Sequence, residues 1–470
     1  MPGTGENSSR QPSDSPDYPG SSQVESSVSP DYPVKTVAVV GLGKIGLPLA
    51  AQYASKGMRV IGCDVLAEVV ESINAGLAHI HEEAGLEEAV AAAVAAGTLS
   101  ATTDTTGAAK QAGVVVVIVP LIVAPDRSMD YRNIDAATRA VGRGLRRGTL
   151  VVCETTLPVG TTRQRLGPML EKESGLKAGA DFHLAFSPER LYAGRIFEDL
   201  RRYPKIVGGI DEASTKAAVD FYRSVLDAEV WAVENTETAE FAKLAETTYR
   251  DVNIALANQL ALYAASREVN VNEAFKAANS QPYSHIHRPS LGVGGHCIPV
   301  YPHFLLRDAT NGELSLVRDG RDTNDRMAEV GLQQLDRLLG GLQSRRVLVL
   351  GASYREDVKE LAFSTVFPVV KLLHHAGAQV LVLDPLFRRE ELQALEAEVV
   401  DDVDTATSQP VDAIVVQAWH RDFRHLDWRR FKGLKAVLDG RGSVDPAAIR
   451  QAGAAYIAIG ISETRAAAPK

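Results

Sequence analysis

The chain has 470 residues, 45% of them hydrophobic, and carries 59 acidic against 50 basic side chains for a formal charge of −9. That is apolar material for two or three ordinary globular domains, and no apolar run is long enough to span a bilayer, so no membrane partner is expected. An acidic balance without a basic stripe excludes nucleic acid as a bulk partner, while a small anionic ligand needs only a local cluster of donors and stays open.

Three widely spaced cysteines argue against a disulfide framework or a structural zinc site, so no metal is expected and a reducing cytoplasm suits the chain. Residues 1–34 are rich in Ser, Pro, Gly and Asp and lack an apolar run; they predict a disordered tail rather than a signal peptide.

From Lys35 the pattern changes. Val37–Val40 reads as a buried strand and ends at Gly41, where Gly41-Leu42-Gly43-Lys44-Ile45-Gly46 opens a helix that runs through Ala54. A second strand, Arg59–Cys63, ends at Asp64. The first glycine of such a turn allows the tight bend, the second lets the backbone approach a pyrophosphate, and the third lets helix and strand pack closely. The helix N-terminus favours phosphate, and an acidic residue at the position of Asp64 accepts from ribose hydroxyls and repels a 2′-phosphate. The expected cofactor is therefore NAD.

Further strands are expected at Val114–Val119 and Thr149–Cys153, and a long helix from near Thr236 past Ser266. On that helix Lys243, Thr247 and Arg250 share one face, and Ala245, Tyr249, Val252 and Leu256 the other. Gln281 to Pro302 reads as a loop. A second strand–helix alternation follows, with strands Val347–Leu350, Val380–Leu383, Val411–Val416 and Ala436–Leu438 and a helix Ser364–His375. The fold class is α/β, with two Rossmann-like, doubly wound parallel-sheet domains joined by a long central helix.

Cys63 and Cys153 sit inside strand-like runs and read as small core residues. Cys297 does not. It follows Gly292-Val293-Gly294-Gly295-His296, whose glycines let the backbone fold closely round a ligand, and a cysteine there becomes a nucleophile if a cation lowers its pKa. Lys243 is the candidate cation.

At this point the chain resembles the nucleotide-sugar dehydrogenase family that includes UDP-glucose 6-dehydrogenase. The segments that carry the resemblance, in order, are Gly41–Pro48, Glu154-Thr155-Thr156-Leu157-Pro158-Val159-Gly160-Thr161-Thr162, Ser187-Pro188-Glu189-Arg190, Lys205-Ile206-Val207-Gly208-Gly209, Ala239–Ala255, His287–Val300 and Asp439-Gly440-Arg441. His296-Cys297-Ile298-Pro299-Val300 points to the branch acting on UDP-N-acetylmannosamine and UDP-N-acetylglucosamine.

The resemblance implies four-electron oxidation of a C6 hydroxyl to a carboxylate, with a UDP-sugar as substrate and two NAD consumed. Cys297 would add to an aldehyde intermediate, Lys243 would stabilise the oxyanion, and Glu189 matches the family's active-site glutamate. Gly41, Gly43, Lys44, Ile45, Gly46, Asp64, Pro120, Thr155 and Thr156 would hold the cofactor. Arg250, Asn253, Arg288, Gly292, Gly294, Gly295 and Arg441 would hold the nucleotide sugar. The implied division is the tail over 1–34, an NAD-binding domain over 35–235, a central dimerisation domain with the cysteine loop over 236–340 and a UDP-binding domain over 341–470. A cytoplasmic homodimer is implied as well.

Four positions depart from the family pattern. Tyr301 stands where an aspartate follows the cysteine, Thr247 takes the catalytic place of an asparagine, Leu121 replaces an active-site threonine and Ala362 replaces an arginine. Three readings stay open: the four-electron dehydrogenase, a relative with altered chemistry such as a two-electron oxidation or epimerisation, and a nucleotide binder without catalysis. Retention of both Cys297 and Lys243 disfavours the last.

Overall fold

The computed structural model describes residues 35–461 apart from Pro125 and Ala193, so the tail expected over 1–34 lies outside the described residues. Two compact units share the chain. Of the described residues, one takes 35–249 together with Val300–Val317, and the other takes Arg250–Pro299 and 318–461.

The first unit is built on ten strands: β1 (Thr36–Val40), β2 (Arg59–Cys63), β3 (Leu99–Thr102), β4 (Val114–Val117), the two-residue pair β5 (Ile122–Val123) and β6 (Met129–Asp130), β7 (Leu150–Cys153), β8 (His183–Phe186), β9 (Lys205–Gly209) and β10 (Val230–Ala232). Eight of them form one sheet in the order β10-β9-β8-β7-β4-β1-β2-β3. Its strands are continuous apolar runs because both faces are covered. Val37 and Val39 enter one core with Val114 and Val116, while Ala38 and Val40 enter the opposite core with Val115 and Val117.

One pairing departs from the parallel sheet expected. β8 and β9 run antiparallel, with Phe186 opposite Gly208. The start of β9 therefore comes to the edge where β7 and β8 end, which matters for the site below.

The second unit carries β11 (Arg346–Leu350), β12 (Gln379–Leu383), β13 (Glu398–Val399), β14 (Ala413–Val416), β15 (Ala436–Asp439) and β16 (Ala455–Ala458). They form an all-parallel sheet in the order β13-β12-β11-β14-β15-β16. The doubly wound order reverses between β11 and β14, as it does between β1 and β4 in the first sheet.

The long helix spans Thr236–Ala265. Asn235 caps it by accepting the Thr238 N–H at 2.8 Å, and Glu268 ends the run in the left-handed region at φ 57°. Its faces are the reverse of an ordinary amphipathic helix. Lys243 and Thr247 are buried, whereas Tyr249 and Leu256 of the apolar face are exposed.

Candidate active site

The glycine turn is folded as its spacing requires. Gly41 holds φ +96° and donates to Cys63 O at 2.8 Å. A Cβ on Gly46 would lie 1.8 Å from Gly41 O, so helix Gly46–Ser55 packs on the turn only because that side chain is a hydrogen. A Cβ on Gly43 would meet nothing within 4 Å, which leaves open the space where a pyrophosphate would lie. Asp64 accepts from Leu42 N at 3.0 Å and Leu66 N at 3.1 Å, so its carboxylate is fixed at the end of β2. These features fit a dinucleotide. Lys44 and Pro120 are exposed and Ile45 half-buried. The Thr155 hydroxyl donates to Val119 O at 2.7 Å and ties the turn after β7 to the turn carrying Pro120, with Thr156 buried beside it.

Glu189 follows β8, and its side chain is 11% exposed. One oxygen accepts the Arg190 N–H at 2.7 Å, and the other lies 3.0 Å from Lys205 Nζ. Lys205 is the residue that sequence reasoning did not single out. Its ammonium also lies 3.0 Å from Glu154, whose remaining oxygen accepts from the hydroxyls of Tyr53 and Tyr222. Burial pushes Glu154 up to about 7 against the pull of Lys205. Burial would also raise Glu189, but Lys205 and the hydrogen bonds outweigh it and hold that carboxyl below its usual range. The only signal in the sequence was the position of Lys205 at the head of a family segment, and the antiparallel turn of β9 gives that position its meaning.

On the long helix Lys243 is 6% exposed, and its ammonium has no carboxylate partner among the described residues. Thr247 lies one turn on, fully buried, with its hydroxyl directed at the Lys243 and Leu244 carbonyls at 3.0 and 3.1 Å. Glu240, one turn before Lys243, accepts the N–H groups of Gly160 at 2.5 Å and Thr162 at 2.9 Å. The helix is thereby anchored to the turn that carries Thr155 and Thr156. Tyr301 packs against Phe304 with ring centroids 5.3 Å apart and the planes tilted by 51°, and Leu121 is half-buried.

In the second unit the loop before Cys297 is held by side-chain amides. Asn253 donates to His285 O at 2.8 Å and accepts from His287 N at 3.0 Å, and Asn258 accepts from Ser290 N at 2.8 Å. Burial and the neighbouring Arg250 push His287 below its ordinary pKa. Arg288 is exposed.

The glycines have a packing reason that the sequence did not reveal. A Cβ on Gly292 would come within 2.9 Å of Thr365, and one on Gly294 within 2.7 Å of Tyr354. Gly295, at φ +96°, donates to the carbonyl of Ala362, the residue that replaces the family arginine. Arg441 adds a staple: it donates to Tyr354 O at 2.8 Å and Gln417 O at 3.0 Å and reaches Gly292 O at 3.5 Å. Cys297 ends this braced segment half-buried and unpaired, as Cys63 and Cys153 are buried and unpaired.

Arg355, also not anticipated, follows the turn after β11. Its guanidinium lies 6.0 Å from the Tyr354 ring, and its Nε is hidden from solvent without a hydrogen-bond partner among the described residues. No helix among the described residues is long and apolar enough to cross a membrane.

Three family models match in succession: the NAD binding domain of the UDP-glucose/GDP-mannose dehydrogenase family over residues 35–226, its central domain over 237–326 and its UDP binding domain over 348–446. The chain is 35% identical over 415 residues to the UDP-N-acetyl-D-mannosamine dehydrogenase of Pyrococcus horikoshii, covering 87% of this chain and 96% of that one. It is 33% identical to the NDP-N-acetyl-D-galactosaminuronic acid dehydrogenase of Ralstonia solanacearum, with the same coverage of 87% and 96%. The solved structure of the Pyrococcus horikoshii UDP-D-ManNAc dehydrogenase superposes with a TM-score of 0.82 at 33% identity, over 91% of this chain and 100% of that one. With the glycine turn, the second sheet and the braced cysteine loop all in family order, the chain belongs to the UDP-glucose/GDP-mannose dehydrogenase family and is an NAD-dependent nucleotide-sugar dehydrogenase.

Proposed function

We propose that the chain oxidises the C6 hydroxyl of a UDP-sugar, a UDP-N-acetylhexosamine or UDP-hexose, to the carboxylate. The observation that carries this reading is Cys297, unpaired and half-buried at the end of a loop fixed by Asn253, Asn258 and Arg441. A nucleophile is useful when its backbone is rigid and its sulfur is neither buried nor bridged.

NAD, when bound by the glycine turn and Asp64, accepts the hydride that C6 gives up in each of two oxidations. The first oxidation leaves an aldehyde. The Cys297 thiolate adds to its carbon, forming a C–S bond, and the Lys243 ammonium stabilises the resulting oxyanion. Loss of the second hydride gives a thioester. Glu189 takes a proton from water, the oxygen bonds to C6, the C–S bond breaks, and thiolate and carboxylate result. Thr247 stands in place of a second oxyanion donor; because its hydrogen is turned to the helix, Lys243 carries most of that charge. Arg250, Arg288, Arg355 and Arg441 supply positive charge for the diphosphate, and Asn253 and the 292–295 backbone shape the sugar pocket.

The exposed Leu256, Leu260 and Tyr263 of the long helix support a homodimer, and the three unpaired cysteines support a cytoplasmic setting.

The test is the NADH formed per sugar consumed with UDP-N-acetylmannosamine, UDP-N-acetylglucosamine and UDP-glucose, in wild type and Cys297→Ser. Two NADH per sugar, lost in Cys297→Ser, supports the reading. One NADH, or a product unchanged in the variant, overturns covalent catalysis and favours the two-electron reading that Tyr301 and Thr247 invite.

A further inference from the structure

Behind Glu189 lies a group of ionisable side chains that substrate binding does not require. Lys205 Nζ sits 3.0 Å from both the Glu189 and the Glu154 carboxylates, and the lysine and Glu154 side chains are 6% and 0% exposed. Three charges enclosed this way cost several kcal/mol of desolvation, which mutual attraction offsets only when the geometry is complete. Here it is. Glu154 is also held by the Tyr53 and Tyr222 hydroxyls, Lys205 lies 5.0 Å from the Tyr222 ring, and Ser187 pins the neighbouring strand by donating to Ile206 O at 2.7 Å.

The groups facing Glu189 and Lys205 come from every element packed there. They are Tyr53 of helix Gly46–Ser55, Glu154 after β7, Tyr222 of helix Glu212–Val225, and Arg190, whose N–H meets Glu189 while its guanidinium turns to Pro204 O and Glu246. One cation therefore serves two carboxylates. The antiparallel entry of β9 places it there, since a parallel β9 would begin at the opposite edge of the sheet.

Resting on the reading of Glu189 as the proton acceptor, we infer that Lys205 is a positioning residue that keeps the Glu189 carboxylate ionised and aimed, with Glu154 as the buried carboxyl that anchors the same ammonium. Removing the ammonium disfavours the Glu189 anion, and restoring a cation with arginine favours it again. A residue that served only to fill space would shift neither way.

The test follows Glu189 protonation by the infrared carboxyl stretch against pH, with Glu189→Gln as the blank, in wild type, Lys205→Met and Lys205→Arg. The Glu189 midpoint should rise by about one unit or more in Lys205→Met and stay near wild type in Lys205→Arg. The acid limb of kcat should move with it while the KM for the UDP-sugar holds. Should Lys205→Met fail to fold, Lys205→Met/Glu154→Gln removes the unpaired buried charge and should still titrate above wild type. A midpoint that stays within about 0.3 unit of wild type in Lys205→Met, or in the double variant where the single one does not fold, overturns the inference. Wild-type turnover by Glu189→Gln would instead overturn the proton-acceptor reading on which it rests.

Discussion

His420 Nε2 lies 3.0 Å from the Asp384 carboxylate, with both side chains fully buried, and this pair separates the chemistry of the two sheets. Asp384 ends β12 as Asp64 ends β2, and each takes the amide that follows its own glycine turn, Ala352 N at 2.6 Å and Leu42 N at 3.0 Å. His420 accepts the Asp357 N–H on Nδ1 at 2.9 Å, which directs the proton of Nε2 at Asp384. Ser353 donates to the same carboxylate. The Asp384 side chain is thus fully buried among protein donors, whereas Asp64 stays half-buried. The second sheet keeps the dinucleotide fold and loses the dinucleotide acceptor.

His420→Ala should therefore act on stability and not on the cofactor. It leaves a buried carboxylate without its strongest partner, a loss of about 3 kcal/mol. Denaturant unfolding should show that loss, and NAD titration should be unchanged.

The glycine turn yields a paired prediction. Gly46→Ala would place a methyl 1.8 Å from Gly41 O, so the variant should be destabilised by about 3 kcal/mol or more or fail to fold. Gly43→Ala meets no protein atom, so its melting temperature should hold while NAD affinity falls by about tenfold or more. Thermal melts and NAD titrations of both variants check this; equal melting temperatures would contradict it.

Glu240 gives the pH dependence. Burial pushes its carboxyl up to about 7, against the N–H groups of Thr162 and Gly160 that pull it down. A carboxyl raised in the folded state contributes stability that is full below its ordinary value of 4.5 and is lost as pH rises through about 7. Wild-type unfolding free energy should fall across that window by an amount on the order of 2–3 kcal/mol from this group. In Glu240→Gln the share of the fall due to Glu240 should vanish while that from Glu154, also raised to about 7, remains, as urea unfolding from pH 5 to 8 would reveal.

The exposed face of the long helix is tested by charge. Leu256 is 48% and Tyr263 63% exposed on one helix, the ground for the proposed homodimer. If the proposed homodimer forms through this face, Leu256→Glu/Tyr263→Glu should be monomeric in light scattering with the fold retained by circular dichroism. A double variant that stays dimeric would take this helix face out of the interface.

Local pattern determined much of this protein. Gly41, Gly43 and Gly46 sit at spacings that only one strand–turn–helix geometry satisfies, and the valine runs of β1 and β4 specify strands covered on both faces. The long helix, the irregular stretch from Gln281 to Pro302 and the second sheet were legible for the same reason, because each depends on neighbours within a few residues. Tertiary structure decided what depends on distant partners. Lys205 meets Glu154 and Glu189 only because β9 enters antiparallel, and no periodicity encodes strand direction. Gly292 and Gly294 are needed against Thr365 and Tyr354, which lie far along the chain. The long helix turns its polar face inward because the groups that satisfy Glu240 come from Gly160 and Thr162. Side-chain type fixes what a residue can do, and the fold fixes which partner it meets.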